Sequence, residues 1–355
     1  MDPRRRRRIR GVLRLLLRAV QAMLLRVTVY GLENVPPQGP LLIAFNHLSN
    51  FDGPLVIANV PYEVEAVGPG DFRLNRWASW GMRLYGMTLI RRGAADRGSL
   101  KALIEHLKAG RMVAMAPSGG TWEQPITDVK PGLAYLSQMT QATIVPCAIA
   151  GAYLLGERVL RFRRPRVTIR FGEVMPPVPP SQDRQRREAD LEAASQAIAR
   201  RIYDLLPPED QARYDRWGRE TYDLRLEFAA YDDGAPVAYD GPPLPPLAAL
   251  AEFIAKPNLF RPMWRNARLA VEPFREARFF APVEVQITAR QLYETLAAGD
   301  FSGYLAYRLG DEKAQAVMDG LAAFRELCDW AMGRQARIRL VPVVSDSAPP
   351  MKKRR

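Results

Sequence analysis

Three nearly unbroken apolar runs constrain the fold more than any other feature: "PLLIAF" at 40–45, "RMVAMA" at 111–116 and "TIVPCAIA" at 143–150. A strand with one wet face alternates apolar and polar residues. A strand apolar on both faces must be covered on both, which is the situation of a parallel sheet between two helical layers. The intervening segments have helical character. A helix is expected over Phe72–Tyr85, another over Asp96–Lys108 with Leu100, Leu103, Ile104 and Leu107 on one face, and a third in "GLAYLSQMT" at 132–140. Further strands are expected in "VTVYGLENV" (27–35), near Met87–Arg91 and in "RVTIRFGEV" (166–174), with Pro36-Pro37-Gln38-Gly39 as a turn. The expected class is α/β, with a mostly parallel or mixed sheet flanked by helices.

A chain of 355 residues is long enough for two domains. The division expected is an N-terminal basic amphipathic helix (1–26), a main α/β domain (27–207), a linker rich in Pro, Asp, Gly and Tyr (208–246), and a small C-terminal α+β module (247–355). The main domain ends in a helix over Glu188–Leu206. In the module "LAALAEFIAK", "ARQLYETLAAG" and "DEKAQAVMDGLAAFRELCDWAMG" read as helices. "VEVQIT", "GYLAYRL" and "QARIRLVPVV" read as strands, and the basic end "MKKRR" as disordered.

Charge is concentrated at the start. Nine arginines and one aspartate between Met1 and Arg26 supply +8 of the net +13. On a helix Arg10, Arg14, Arg18 and Gln21 fall on one side, and Ile9, Val12, Leu13, Leu16, Val20 and Met23 mostly on the other. That pattern fits a helix in the interface of an anionic membrane, its apolar face among acyl chains and its guanidinium groups among phosphates. Arg14 and Arg18 interrupt the apolar run and no small-residue cleavage site follows, so neither a removed signal peptide nor a spanning helix is expected. The expected location is peripheral, on the cytoplasmic face of the cell membrane. Nucleic acid is disfavoured, since Arg4–Arg8 lack interleaved aromatics for base stacking. Two cysteines, Cys147 and Cys328, and two histidines, His47 and His106, leave too few ligands for a structural zinc site. Cys147 reads as core filling, and His106 as a solvated residue on a polar helix face.

His47 follows the strand "LLIAF", at a carboxyl end where α/β sheets place their sites. Asp52 lies five residues on, past a turn long enough to bring its carboxylate back to the imidazole. A carboxylate on one ring nitrogen fixes the tautomer and leaves the other nitrogen to accept a proton from a hydroxyl. The same spacing also suits a polar bend between strand and helix.

Four stretches in order resemble the blocks of the phospholipid/glycerol acyltransferase family, which includes bacterial 1-acylglycerol-3-phosphate acyltransferases. "VYGLENVPPQGPLLIAFNHLSNFDGP" is similar to the first block, with Asn46, His47 and Asp52 in its Asn-His-x4-Asp; "YGMTLIRRG" to the second, placing its arginine at Arg92. "MAPSGGTW" occupies the third and "TIVPCAIAG" the fourth. The resemblance spans roughly 28–207. It implies an acyltransferase in which His47 deprotonates an acceptor hydroxyl, Asp52 steadies the imidazole, and the oxygen attacks the thioester of acyl-CoA or acyl carrier protein. No cofactor and no metal are implied. The acceptor implied is a lysophospholipid such as 1-acylglycerol-3-phosphate, its phosphate held by Arg92 and, on weaker grounds, Lys130.

The third block departs from the family's Pro-Glu-Gly-Thr-Arg. Here it reads Pro117-Ser118-Gly119-Gly120-Thr121, with Ser118 for the acid and Thr121 for the arginine. Gly119 and Gly120 are expected to turn backbone N–H groups toward an anion. Ser118 is no nucleophile, because no Gly-x-Ser-x-Gly elbow surrounds it. The altered loop opens two alternatives: an acceptor without the phosphate, such as a glycolipid or polyol lipid, or a catalytically weakened lipid-binding homologue.

Overall fold

The computed structural model describes residues 3–70, 76–92, 96–121, 123–161, 164–181, 183, 185–298 and 303–346. The chain divides into two compact units, the first running to residue 218 and the second from 219 onward; by its neighbours Arg92 belongs with the second.

The first unit begins with α1 (Pro3–Leu24), β1 (Arg26–Tyr30) and β2 (Leu41–Phe45), then α2 (Asp52–Asn59), β3 (Val64–Pro69), α3 (Arg76–Tyr85) and β4 (Thr88–Ile90). It continues through α4 (Arg97–Lys108), β5 (Met112–Met115), α5 (Gly132–Thr140), β6 (Thr143–Ala150) and α6 (Leu155–Leu160). It ends with β7 (Arg166–Phe171), α7 (Arg187–Asp204) and α8 (Pro208–Trp217). The seven strands form one sheet in the order β1-β7-β6-β2-β5-β3-β4. The five from β6 to β4 run parallel, and β7 returns antiparallel beside β6 with β1 parallel to it. The expected α/β class with a mostly parallel, mixed sheet is thus what the chain adopts.

Burial explains the apolar runs. In β2, Leu42 and Ala44 enter a core with Leu103 and Leu107 of α4, Leu133 and Leu136 of α5, and Ile198 and Ile202 of α7. Leu41, Ile43 and Phe45 enter the opposite core with Leu55 and Val56 of α2. Both faces of the strand are dry, and each fully buried aliphatic side chain contributes about 1.5–3 kcal/mol. Cys147 sits in the second of these cores, as expected of a structural thiol, and burial pushes its pKa up.

The N-terminal helix forms, but not with the orientation its pattern suggested. Arg10 is buried: its guanidinium donates to Glu65 Oε2 (2.6 Å), to Glu63 Oε1 (3.1 Å) and to the Tyr85 carbonyl (3.0 Å), and lies over the Tyr85 ring. Arg6 donates to Glu65 Oε1 (3.2 Å), and Arg14 to the Val60 carbonyl. Gln21 donates to the Pro54 carbonyl and accepts from Asn59. The expected placement of Arg10 and Arg14 among lipid phosphates is therefore corrected. Glu65 stands on a buried strand with 1% of its side chain exposed, and a carboxylate there requires cationic partners. The apolar side is left outward, with Val12, Leu15, Leu16, Val20 and Met23 each 46–65% exposed. His106 also departs from expectation. It is half-buried beside this cluster, 4.0 Å from Glu65 and 3.0 Å from Arg111, and burial holds its pKa below the usual histidine value.

The second unit comprises β8 (Glu220–Ala230), α9 (Ala248–Ala255), α10 (Pro257–Ala267), α11 (Pro282–Ala297), α12 (Tyr304–Leu309), α13 (Asp311–Gly333) and β9 (Ala336–Asp346). β8 and β9 pair antiparallel, with Tyr222 opposite Val344 and Phe228 opposite Ile338. Residues 208–246 therefore do not behave as a linker throughout. Pro208 starts α8, a position where its missing N–H costs nothing, and 220–230 is a paired strand. "VEVQIT" is helical rather than extended. Its alternation is local, whereas Val285, Thr288, Ala289, Leu292 and Leu296 bury one helical face, and Glu284 caps the Ala281 N–H at 3.0 Å. "GYLAYRL" is likewise helical, opening at Gly303 with φ +79°. α9, α13 and the strand at 336–346 fall where expected, while α10 stands in a stretch for which no element was expected. The basic tail lies outside the described residues. Among the described residues no helix is long and apolar enough to cross a membrane.

Candidate active site

The site is built where β2, β5 and β6 end side by side. After Phe45 the chain leaves β2 in a tight turn, Asn46–Phe51, that delivers Asp52 to the first position of α2. Asn46 fastens this turn to the neighbouring strand. Its Nδ2 donates to the Ile149 carbonyl (3.0 Å) and its Oδ1 accepts the Ile149 N–H (2.7 Å). Asp52 fastens it from the other end: one oxygen, Oδ2, accepts from Leu48 N–H (2.7 Å) and Ser49 N–H (2.8 Å). That same oxygen lies 3.0 Å from His47 Nδ1. The spacing that could equally have been a polar bend is therefore both a bend and a histidine–carboxylate pair.

With Nδ1–H donating to a carboxylate, the ring presents Nε2 as the acceptor. Asp52 is fully buried while His47 keeps 24% of its side chain exposed, so the pair has a dry end and an open end. The N-terminus of α2 adds favourable potential at the Asp52 carboxylate. The Phe45 ring meets the imidazole edge-on, with centroids 5.7 Å apart, and limits its tilt.

His47 opens into a cleft in the first unit whose lining is mostly apolar: Phe45, Pro117, Ile126, Val129, Ala199 and Ile202, with Asn46, Ser118, Gln124 and Tyr214 among its polar groups. The loop after β5 forms one wall. Ser118 lines the cleft, and its hydroxyl donates to the Gly120 carbonyl at 2.9 Å. Gly119 adopts φ +72°, and its N–H donates to the Ala116 carbonyl. That amide is engaged in the turn itself, contrary to the expectation that it faces an anion. The Lys130 backbone N–H donates to the Pro117 carbonyl and closes the loop. Thr121 and Lys130 are half-buried and, with Gly119, Gly120 and Arg92, fall outside the described cleft lining. Arg92 stands in the turn after β4, half-buried.

Residues 26–150 match the family model described as Acyltransferase. The chain carries the domain of an acyltransferase enzyme. A 1-acyl-sn-glycerol-3-phosphate acyltransferase of Bacillus subtilis (strain 168) is 26% identical over 190 residues, covering 52% of this chain and 90% of the relative. The crystal structure of the 1-acyl-sn-glycerophosphate (LPA) acyltransferase PlsC from Thermotoga maritima is similar at a TM-score of 0.41 and 20% identity, over 57% of this chain and 83% of that one. All nine residues singled out from sequence lie inside the matched part of the acyltransferase domain. Of the cleft residues that sequence reasoning missed, Gln124, Pro125, Ile126 and Val129 lie inside it, while Ala199 and Ile202 on α7 and Tyr214 on α8 lie beyond it. The helical spacing of Leu191, Ser195, Ile198 and Ile202 marked α7 as a packed helix. Nothing marked Tyr214, which fell in a segment whose composition reads as linker.

Proposed function

We propose that this acyltransferase moves a fatty acyl group from a thioester, acyl-CoA or acyl carrier protein, onto the hydroxyl of a lysophospholipid such as 1-acylglycerol-3-phosphate. The reading is carried by the 3.0 Å contact between His47 Nδ1 and Asp52 Oδ2, with the free ring nitrogen on an apolar cleft. In the reaction Nε2 takes the acceptor hydroxyl's proton as that oxygen attacks the thioester carbonyl. The tetrahedral intermediate collapses with cleavage of the C–S bond, and the imidazolium returns the proton to the leaving thiolate. Asp52 holds the tautomer before transfer and balances the imidazolium during it. The apolar walls suit an acyl chain, and the thioester donor is a substrate rather than a resident cofactor.

The acceptor named in the Bacillus relative supports the phosphate-bearing choice. One observation favours a second reading, an acceptor without that phosphate. Ser118 and Thr121 replace an acid and an arginine, and the Gly119 amide is already bonded. A membrane-surface setting is supported by the outward apolar stripe of α1, flanked by exposed Arg4, Arg5, Arg7, Arg8 and Arg18. The test is thiol release from acyl-CoA against a panel of lysophospholipids, glycolipids and polyol lipids. His47→Ala is expected to lower release about 10²–10⁴-fold, the usual contribution of a general base. Release by His47→Ala at the wild-type rate overturns the mechanism, and the preferred lipid chooses between the two acceptors.

A further inference from the structure

Positive charge has a second centre, which the N-terminal arginines overshadow. Between Glu157 and Arg170, "ERVLRFRRPRVTIR", the chain carries six arginines and one glutamate. This segment is net +5, and with the +8 of the first 26 residues it accounts for the whole net charge of +13. The two segments are far apart in sequence and adjacent in the fold. β1 pairs parallel with β7, which sets Arg26 opposite Arg166. The Arg26 N–H donates to the Pro165 carbonyl (3.0 Å), and the Arg164 guanidinium donates to the Ala22 carbonyl of α1 (2.6 Å). Arg18, Arg26, Arg161, Arg164 and Arg166 are all exposed. Among the described residues Arg26, Arg161, Arg164 and Arg166 form no ion pair. Like charges set side by side without carboxylates favour an anionic partner.

Apolar side chains are interleaved with these cations. α6 buries Leu155 in the core it shares with Leu25 and with Leu55 of α2, and Val159 packs against that core. Leu160, next to Val159, is nevertheless 79% exposed. On α1 the outward stripe reaches this end as Val20 and Met23, and Gln21 ties it to the first turn of α2 through the Pro54 carbonyl. Phe51, also exposed, lies against α6: a side-chain carbon at Gly156 would stand 3.4 Å from its ring. This is the site end of the sheet. Thr168 of β7 pairs with Ala150 at the end of β6, and Phe51 belongs to the turn that carries His47. A surface of this composition suits a bilayer, with arginines among headgroup phosphates and apolar groups at the acyl boundary. A dissolved polyanion would use the cations and leave Met23, Phe51 and Leu160 in water.

We propose that α6 and the start of β7 form a second lipid-contact patch, continuous with the C-terminal end of α1, that rests on an anionic bilayer and holds the turn bearing His47 at the lipid surface. This rests on the membrane-surface reading of α1 and goes beyond it. One amphipathic helix lets the unit swing about the helix axis, whereas a second contact fixes which edge of the sheet meets the lipid.

Both native cysteines are buried, so a solvatochromic dye on Leu160→Cys reports on position 160 alone. Vesicles containing phosphatidylglycerol should shift its emission to the blue, and pure phosphatidylcholine should not. The same dye on Lys101→Cys, 79% exposed on α4 across the sheet, should stay unshifted. Arg161→Glu with Arg166→Glu leaves α1 intact and should weaken flotation with the anionic vesicles at least about tenfold, since each charge near such a leaflet is worth about fivefold. The dye changes no arginine, so it decides the matter should the double variant fold poorly. An unshifted signal at position 160 on vesicles that float the protein overturns the inference and leaves the α1 reading standing. So does flotation of the folded double variant at wild-type strength, and so does an equal shift at positions 101 and 160, the mark of unoriented adsorption. If wild-type protein does not float, the membrane reading of α1 falls and this inference falls with it.

Discussion

Asp52 concentrates three hydrogen bonds on one oxygen, from His47 and from the N–H groups of Leu48 and Ser49. Its structural and chemical roles can be separated. Asp52→Asn keeps an oxygen acceptor for the turn but removes the charge that balances an imidazolium, and should reduce kcat at least about 10²-fold with little loss of stability. Asp52→Ala strands two buried N–H donors as well, and should cost about 1–3 kcal/mol per stranded group in urea unfolding. A small effect of the amide on kcat would mean that the carboxylate serves only the bend. This pair was legible from sequence because turn and carboxylate are neighbours in the chain. Tyr214 was not, because only the packing of α8 brings it to the cleft.

Among the elements, α4 shows a local rule obeyed and α1 a local pattern overruled. Asp96 caps α4: its carboxylate accepts the N–H of Arg91 and of Ser99, each at 3.0 Å, and those bonds hold its carboxyl below the usual carboxylate range. A depressed folded-state pKa contributes stability that is present above the ordinary carboxylate range and is lost as pH falls through the lower folded value. Asp96→Ala should therefore cost about 1 kcal/mol at neutral pH, a typical cap value. The gap from wild type should close in acid, as urea midpoints at the two pH values will show. In α1 the amphipathic pattern is real, but Glu63 and Glu65 reverse its assignment by drawing Arg6 and Arg10 inward. Arg10→Leu should cost about 3–5 kcal/mol in thermal or urea unfolding, because it leaves Glu65 buried beside fewer cations. A loss below about 1 kcal/mol would show that the pair is no more than a surface contact.

At the scale of the whole molecule, the inward arginines make α1 part of the first unit's packing. Deleting it would remove partners of Glu65 as well as any lipid contact. The informative variant is Leu15→Glu with Leu16→Glu, two side chains 64% and 56% exposed. Flotation with anionic liposomes should weaken at least about tenfold while the melting temperature holds, since each leucine placed in lipid is worth more than about 1 kcal/mol. Unchanged flotation would remove the membrane role from this face. Sequence alone determined the α/β class, six of the seven strands of the sheet (all but β3), the main helices between them, and the spacing that lets Asp52 reach His47. Each depends on apolar runs or on residues close along the chain, where periodicity and spacing carry the information. The tertiary structure decided the direction in which α1 faces, the helical state of 282–297 and 304–309, and the use of α8 as a wall of the cleft. Those outcomes depend on which distant groups need a partner: a buried carboxylate on β3, an unfilled apolar core in the second unit, and a strand end at Gly151 with an open N–H.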